Sequence, residues 1–83
     1  MDKSIKVRVQ YFALLREQRG LADETISTTA RTAKDLYREL QEKFKFKAAT
    51  DILKVAINSE FKDWNTELKP DDVVVFIPPV AGG

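Results

Sequence analysis

The chain has 83 residues, 43% hydrophobic and 33% charged, which is enough for one small domain with a thin core and excludes a disordered polymer. Its 14 basic and 13 acidic residues are interspersed and leave a formal net charge of +1, so no electrostatic footprint calls for nucleic acid or a membrane surface. Cysteine and histidine are both absent, which removes disulfides, thiolate nucleophiles, Cys/His metal sites and the usual neutral-pH proton shuttle.

Met1-Asp2-Lys3-Ser4 leads straight into alternating residues rather than a signal peptide's apolar run, and a cytoplasmic protein is expected. Ile5, Val7, Val9 and Tyr11 alternate with Lys6, Arg8 and Gln10, the pattern of a half-buried strand. Ala13 to Arg19 reads as a short helix, with Gly20 suited to end it and Arg16 beside Glu17 as a local charge pair. Glu24 to Thr29, rich in β-branched residues, is a second strand.

Thr32 and Asp35 have the spacing of a helix N-cap with an acidic third residue. Leu36, Leu40 and Phe44, with Tyr37 alongside, then form the apolar stripe of the main helix. Lys43, Lys45 and Lys47 complement its negative end. Leu53, Val55 and Ile57 alternate in a third strand, and Asn58-Ser59 turns into a brief strand over Glu60 to Lys62. Trp64 is a packing residue, as is Tyr37. Lys69-Pro70-Asp71-Asp72 suits a type I turn, and the unbroken apolar run Val73 to Ile77 suits a central strand covered on both faces. These elements predict an α+β domain: a mixed sheet of about five strands with the main helix across one face and a short extra helix.

The regular elements are spent by residue 77, so the expected division is a domain over 1–77 and an extended C-terminal tail over 78–83. Of three glycines in the chain, two are Gly82 and Gly83. A terminal glycine pair alone says little, because a frayed end tolerates glycine. Pro78 and Pro79 add the physical content: without N–H groups and with φ fixed, they stop sheet pairing and direct the chain outward. Six extended residues reach at most about 20 Å. Small residues ending in glycine fit a narrow channel in another protein, where any side chain would clash. An α-carboxylate, with a pKa of about 3.3–3.7, is ionised and unreactive at neutral pH. Converting it to an acyl-adenylate would let a sulfur nucleophile displace AMP and leave a thiocarboxylate. None of those steps needs a catalytic side chain on this protein.

Phe12-Ala13-Leu14-Leu15-Arg16-Glu17-Gln18-Arg19-Gly20 resembles the N-terminal signature of the small, sulfur-carrying subunit of molybdopterin synthase. Val55-Ala56-Ile57-Asn58, Leu68, Asp72 and Phe76-Ile77-Pro78-Pro79-Val80-Ala81-Gly82-Gly83 resemble the C-terminal half of the same ubiquitin-like sulfur-carrier family, while Thr25 to Asp51 match in pattern only. The resemblance implies a β-grasp fold. It implies that an E1-like adenylyltransferase uses ATP to adenylate Gly83, and that a sulfur-donor protein supplies the sulfur of the thiocarboxylate. The tail, Pro78 to Gly82, then inserts into the large subunit of molybdopterin synthase, where sulfur passes to cyclic pyranopterin monophosphate. Two small and two large subunits form the working enzyme, and the small one binds no cofactor and no metal and is non-catalytic alone. One departure is Asp71-Asp72, where the family usually has Gly-Asp; in a type I turn no positive φ is required and aspartate is tolerable.

Phe12 lies on the polar side of the first strand, Val75 and Ile77 share a face of the last, and Phe61 stands among charged neighbours. On a sheet with one open face, Phe12, Phe61 and Val75 or Ile77 are candidates for an apolar partner-binding patch. Three other readings remain open at this stage. One is a sulfur carrier for thiamine or cysteine synthesis or tRNA thiolation, another a ubiquitin-like modifier joined to lysines through Gly83, and the last a plain β-grasp binding module.

Overall fold

A computed structural model describes residues 3–79. The chain runs β1 (Ile5–Tyr11), α1 (Ala13–Arg19), β2 (Asp23–Thr28), α2 (Ala33–Phe44), a 3₁₀ turn (Thr50–Ile52), β3 (Lys54–Ile57), β4 (Glu60–Lys62) and β5 (Val73–Ile77). One five-stranded sheet has the order β2-β1-β5-β3-β4. β1 is antiparallel to β2 and parallel to β5; β3 is antiparallel to both β5 and β4. This is the expected mixed sheet, with the continuous apolar run of β5 at its centre, where both edges are paired.

Alternation puts Val7, Val9 and Tyr11 of β1 into the core together with Val74 and Phe76 of β5 and Val55 and Ile57 of β3. α2 lays Leu36, Tyr37 and Leu40 onto them, with Phe44 half-buried at its last turn. Thr32 Oγ1 accepts from the Asp35 backbone N–H at 3.2 Å, so the expected N-cap forms. Tyr37 sits at the centre of an aromatic cluster, its ring 5.1 Å from Phe76, 5.9 Å from Trp64 and 6.0 Å from Phe46. Trp64 stacks on Phe76 at 5.9 Å, the packing role expected of it.

The turn preceding β4 and the turn preceding β5 are locked to each other. Asn58 (φ 53°) and Ser59 (φ 73°) are both left-handed, the signature of the two-residue hairpin turn expected there. The Asn58 side chain donates to Asp72 Oδ1 at 2.9 Å and accepts from the Val73 N–H at 3.0 Å, and the Lys69 N–H donates to Asp72 Oδ2 at 2.8 Å. The buried Asp72 carboxylate therefore has a partner on each oxygen.

The Lys69–Asp72 turn corrects the type I expectation. Asp71 has φ 70°, and the Asp72 N–H donates to the Lys69 carbonyl at 3.2 Å, which is a type II turn with its left-handed residue at the third position. The Asp71 N–H is drawn to the Lys6 carbonyl at 2.7 Å, which fixes the peptide orientation. Glycine is the residue that position favours, so aspartate carries strain there. Asp71→Gly is expected to stabilise the domain by about 0.5–1 kcal/mol. Thermal unfolding should then rise by a few degrees, at roughly 4–8 °C per kcal/mol for a domain this size. An unchanged or lower midpoint would contradict the assignment.

Candidate functional site

Because β1 and β5 are parallel with Tyr11 opposite Phe76, both strands finish at the same end of the sheet. There Phe12 leaves β1 as Ile77 and Pro78 leave β5. Phe12, Ala13, Leu14, Glu17, Ala48, Ile52, Ile77, Pro78 and Pro79 line an open groove of about 620 Å³. Phe12 (50% exposed), Leu14 (46%) and Ile52 (52%) stand out of the surface around it, whereas Pro78 is buried and Pro79 exposed. Glu17 is the one titratable side chain of that lining. Such a concentration of exposed apolar surface on a small domain marks a place where another surface fits.

The remaining predicted patch residues lie on the open face of the same sheet. Ala56 is paired with Phe61 on one side and Val75 on the other, so the three form a row across β4, β3 and β5. Phe61 is 69% exposed, Ile77 half-buried and Val75 almost covered, so Phe61 and Phe12 supply most of the accessible apolar area. The structure thus brings Phe12 and Ile77 into the groove at the end of the sheet and sets Phe61 and Val75 on the adjoining face. Lys54, opposite Ile77, together with Lys6, gives that face a cationic margin, while Arg8 is paired with Asp23 at 2.9 Å. The predicted residues Val80, Ala81, Gly82 and Gly83 lie outside the described residues.

Leu14 and Ile52 were not singled out by sequence. The pair Leu14-Leu15 gave no means of telling which leucine faces outward; the structure buries Leu15 completely. Ile52 falls in a segment with no periodicity, and only the 3₁₀ turn brings it to the groove.

α1 is fastened differently from the expected local pair of Arg16 with Glu17. Adjacent helical residues point about 100° apart and do not face each other. The holding contact is instead Arg19 to Glu24 of β2, bidentate at 2.7 and 2.9 Å, with the Tyr11 hydroxyl donating to Glu24 Oε2 at 2.8 Å. Arg19 also lies 4.0 Å over the Phe44 ring, tying α1 to the end of α2. Gly20 (φ 81°) closes α1 as expected, its N–H donating to the Arg16 carbonyl at 2.9 Å.

The Arg19 hydrogen bond holds the Glu24 carboxyl below its ordinary 4.5, against the opposing effect of burial. Burial, reinforced by the neighbouring Glu24, pushes Tyr11 up. A depressed carboxyl contributes stability above its unfolded value and loses it as pH falls through the folded value. Glu24→Gln is therefore expected to cost about 1–2 kcal/mol at pH 7. That gap from wild type should close on acidification below the ordinary glutamate value of 4.5. Urea melts at both pH values check this, and a pH-independent gap would contradict it.

Among the described residues, no group of three Asp or Glu side chains is arranged to hold a metal ion, and no helix is long and apolar enough to cross a membrane. What those residues build is an open apolar groove at the end of the sheet where β1 and β5 finish.

Comparison with known proteins gives this arrangement a family. Residues 9–83 match the ThiS family. A search of curated proteins returns no significant match. Among solved structures, the chain is 36% identical to a protein assigned as molybdopterin converting factor subunit 1 from Pyrococcus furiosus, covering 93% of this chain and 100% of that one, with a TM-score of 0.74. It is 34% identical to a chain in the complex of subunits 1 and 2 of molybdopterin-converting factor from Helicobacter pylori, covering 95% and 100%, with a TM-score of 0.65. SAMP1 from Haloferax volcanii has a TM-score of 0.78 at 22% identity, covering 94% and 99%, a likeness of fold alone. The element order and the strand order agree with the ubiquitin-like β-grasp architecture of these neighbours. On the match over residues 9–83, the chain belongs to the ThiS family and shares the β-grasp fold of the ubiquitin-like sulfur carriers.

Proposed function

We propose that the protein is the sulfur-carrying small subunit of a molybdopterin synthase and that Gly83 is its working residue. The observation that carries this reading is that the family match runs through Gly83 while the last strand ends at Ile77, beside an exposed apolar groove. The identities of 36% and 34% to two molybdopterin converting factor chains favour this pathway over other sulfur-carrier roles.

The chemistry balances without a catalytic side chain on this protein. An E1-like adenylyltransferase lets a Gly83 carboxylate oxygen attack the α-phosphorus of ATP, releasing pyrophosphate and leaving an acyl-adenylate. A sulfur nucleophile attacks the carbonyl carbon and expels AMP. If the sulfur-donor protein presents it as a persulfide, a thiol must reduce the resulting acyl disulfide to free the thiocarboxylate. The thiocarboxylate sulfur then attacks an oxygen-bearing carbon of cyclic pyranopterin monophosphate in the large subunit, forming a C–S bond as that carbon's C–O bond breaks and the oxygen leaves with its electron pair. Water cleaves the acyl–sulfur bond, leaving sulfur on the product and oxygen on Gly83. ATP is consumed by the activating enzyme, and this chain holds no cofactor of its own.

In this reading, Pro78 to Gly82 enter the large subunit while Phe12, Phe61, Val75 and Ile77 dock on its surface, and two copies of each subunit make up the synthase. The complex of subunits 1 and 2 from Helicobacter pylori supports such a pairing. A modifier role, in which Gly83 is joined to a lysine, has only a fold likeness to SAMP1 behind it.

The test is reconstitution. The chain prepared chemically with a Gly83 thiocarboxylate, mixed with the large subunit and cyclic pyranopterin monophosphate, is expected to yield molybdopterin, with no product when the large subunit is omitted. No product from the complete mixture would overturn the pathway assignment.

A further inference from the structure

Five non-glycine residues among those described have positive φ, and four have a plain reason. Lys45 ends α2 as its left-handed cap, Asn58 and Ser59 make a hairpin turn, and Asp71 occupies the third position of a type II turn. Ala13 has φ 50° at the first residue of a helix, where a negative φ is the rule. Alanine gains nothing from that conformation: it has a Cβ to clash and no polar side chain to compensate. Such strain persists where the surrounding structure imposes it, and it clusters at sites of function.

Its effect here is geometric. Phe12 is still extended (φ −127°, ψ 151°), and its carbonyl already accepts from Leu15 N–H at 3.1 Å and Arg16 N–H at 3.5 Å. The chain thus passes from strand to helix in one residue, with no side-chain cap. Returning Ala13 to an ordinary helical φ near −60° would swing everything after it by roughly 110°. With the left-handed value, Leu15 reaches full burial in the core while Phe12 and Leu14 both stand exposed on the same groove as Ile77, Pro78 and Pro79. The far end of α1 is fixed by the Arg19–Glu24 pair.

We infer that Ala13 is a positioning residue: its left-handed backbone holds Phe12 and Leu14 as a preformed apolar wall beside the root of the C-terminal segment. This rests on the proposed function, in that the wall receives the large subunit as the tail enters it. Preorganisation spares the partner the cost of ordering that wall on contact.

The test compares three full-length chains: wild type, Ala13→Gly, and a chain assembled by chemical ligation with D-alanine at position 13. D-Alanine adopts positive φ without strain and cannot easily leave it; glycine relieves the strain but frees the backbone. Ala13→Gly is expected to melt at or slightly above wild type yet bind the large synthase subunit about two- to fivefold more weakly, as glycine's extra 0.5–1 kcal/mol of backbone freedom implies. The D-alanine chain should melt higher and keep wild-type affinity. A merely structural role would move stability and affinity together. Equal binding by Ala13→Gly and wild type, or equal weakening by both variants, would overturn this inference alone. Failure of the wild-type chain to bind the large subunit at all would overturn the proposed function and the inference with it.

Discussion

Removing Gly83, or appending one residue after it, is expected to abolish sulfur transfer completely while leaving the fold and melting temperature unchanged. On the proposed function the reacting group is the Gly83 carboxyl, not a side chain, so no neighbour can substitute for it. On the same reading, an appended side chain would clash in a narrow partner channel that a glycine without a Cβ is suited to enter. The domain should not notice either change, because its last strand ends at Ile77 and its hydrophobic core cluster has Phe76 as its last member. Sulfur transfer measured with the large subunit, alongside far-ultraviolet circular dichroism and a thermal melt, checks both halves. Undiminished transfer by the shortened chain would remove the role of Gly83.

The second large effect is on stability. Tyr37→Ala is expected to cost about 3–5 kcal/mol, the usual range for emptying a buried aromatic position. The whole domain has only about 4–12 kcal/mol to lose, at 0.05–0.15 kcal/mol per residue. Tyr37 is fully buried, is in ring contact with Phe46, Trp64 and Phe76, and donates its hydroxyl to the Ala48 carbonyl at 2.6 Å. Losing the ring unpins both faces of the cluster and the segment after α2 that carries Ala48 to the groove. Tyr37→Phe separates ring from hydroxyl. It should cost only about 1 kcal/mol, since Gln41 Nε2 still donates to the Ala48 carbonyl at 3.2 Å. Urea unfolding distinguishes the two, and similar midpoints for both variants would contradict the packing account.

Tyr37 also gives the domain an alkaline limit. Burial raises its pKa from 10.0 to about 12. For a group whose folded value is raised, the stability it contributes is whole below the unfolded value and drains away as pH climbs toward the folded one. Wild type should therefore weaken between those two values more steeply than Tyr37→Phe does.

The fold was legible because its signals are local. Alternation in Ile5 to Tyr11, the Thr32 cap before the Leu36–Leu40 stripe and the unbroken apolar run of Val73 to Ile77 each name an element from neighbouring residues alone. Boundaries moved little: the second strand begins at Asp23 rather than Glu24, since pairing with Gln10 of β1, not β-propensity, decides where it starts.

The candidate site was legible only in part, because it is made by register. Nothing in the sequence says that Tyr11 lies opposite Phe76, yet that pairing is what carries Phe12 to Ile77 and Pro78. Leu14 and Ile52 join them through a strained residue and a 3₁₀ turn, neither of which has a compositional mark. The Lys69–Asp72 turn was misread for a related reason. Proline at the second position suits both type I and type II turns, and the choice is made by a hydrogen bond from Asp71 to Lys6, 65 residues earlier in the chain.

The central claim is that Gly83 becomes a thiocarboxylate. Wild-type chain incubated with ATP, a sulfur source and the E1-like enzyme, then cleaved and fragmented in the mass spectrometer, reads it directly. The account predicts one sulfur in place of one oxygen, located on the last residue of the C-terminal peptide. An unaltered terminal carboxyl, or a Gly83 carbonyl found instead in amide linkage to a lysine, would contradict it.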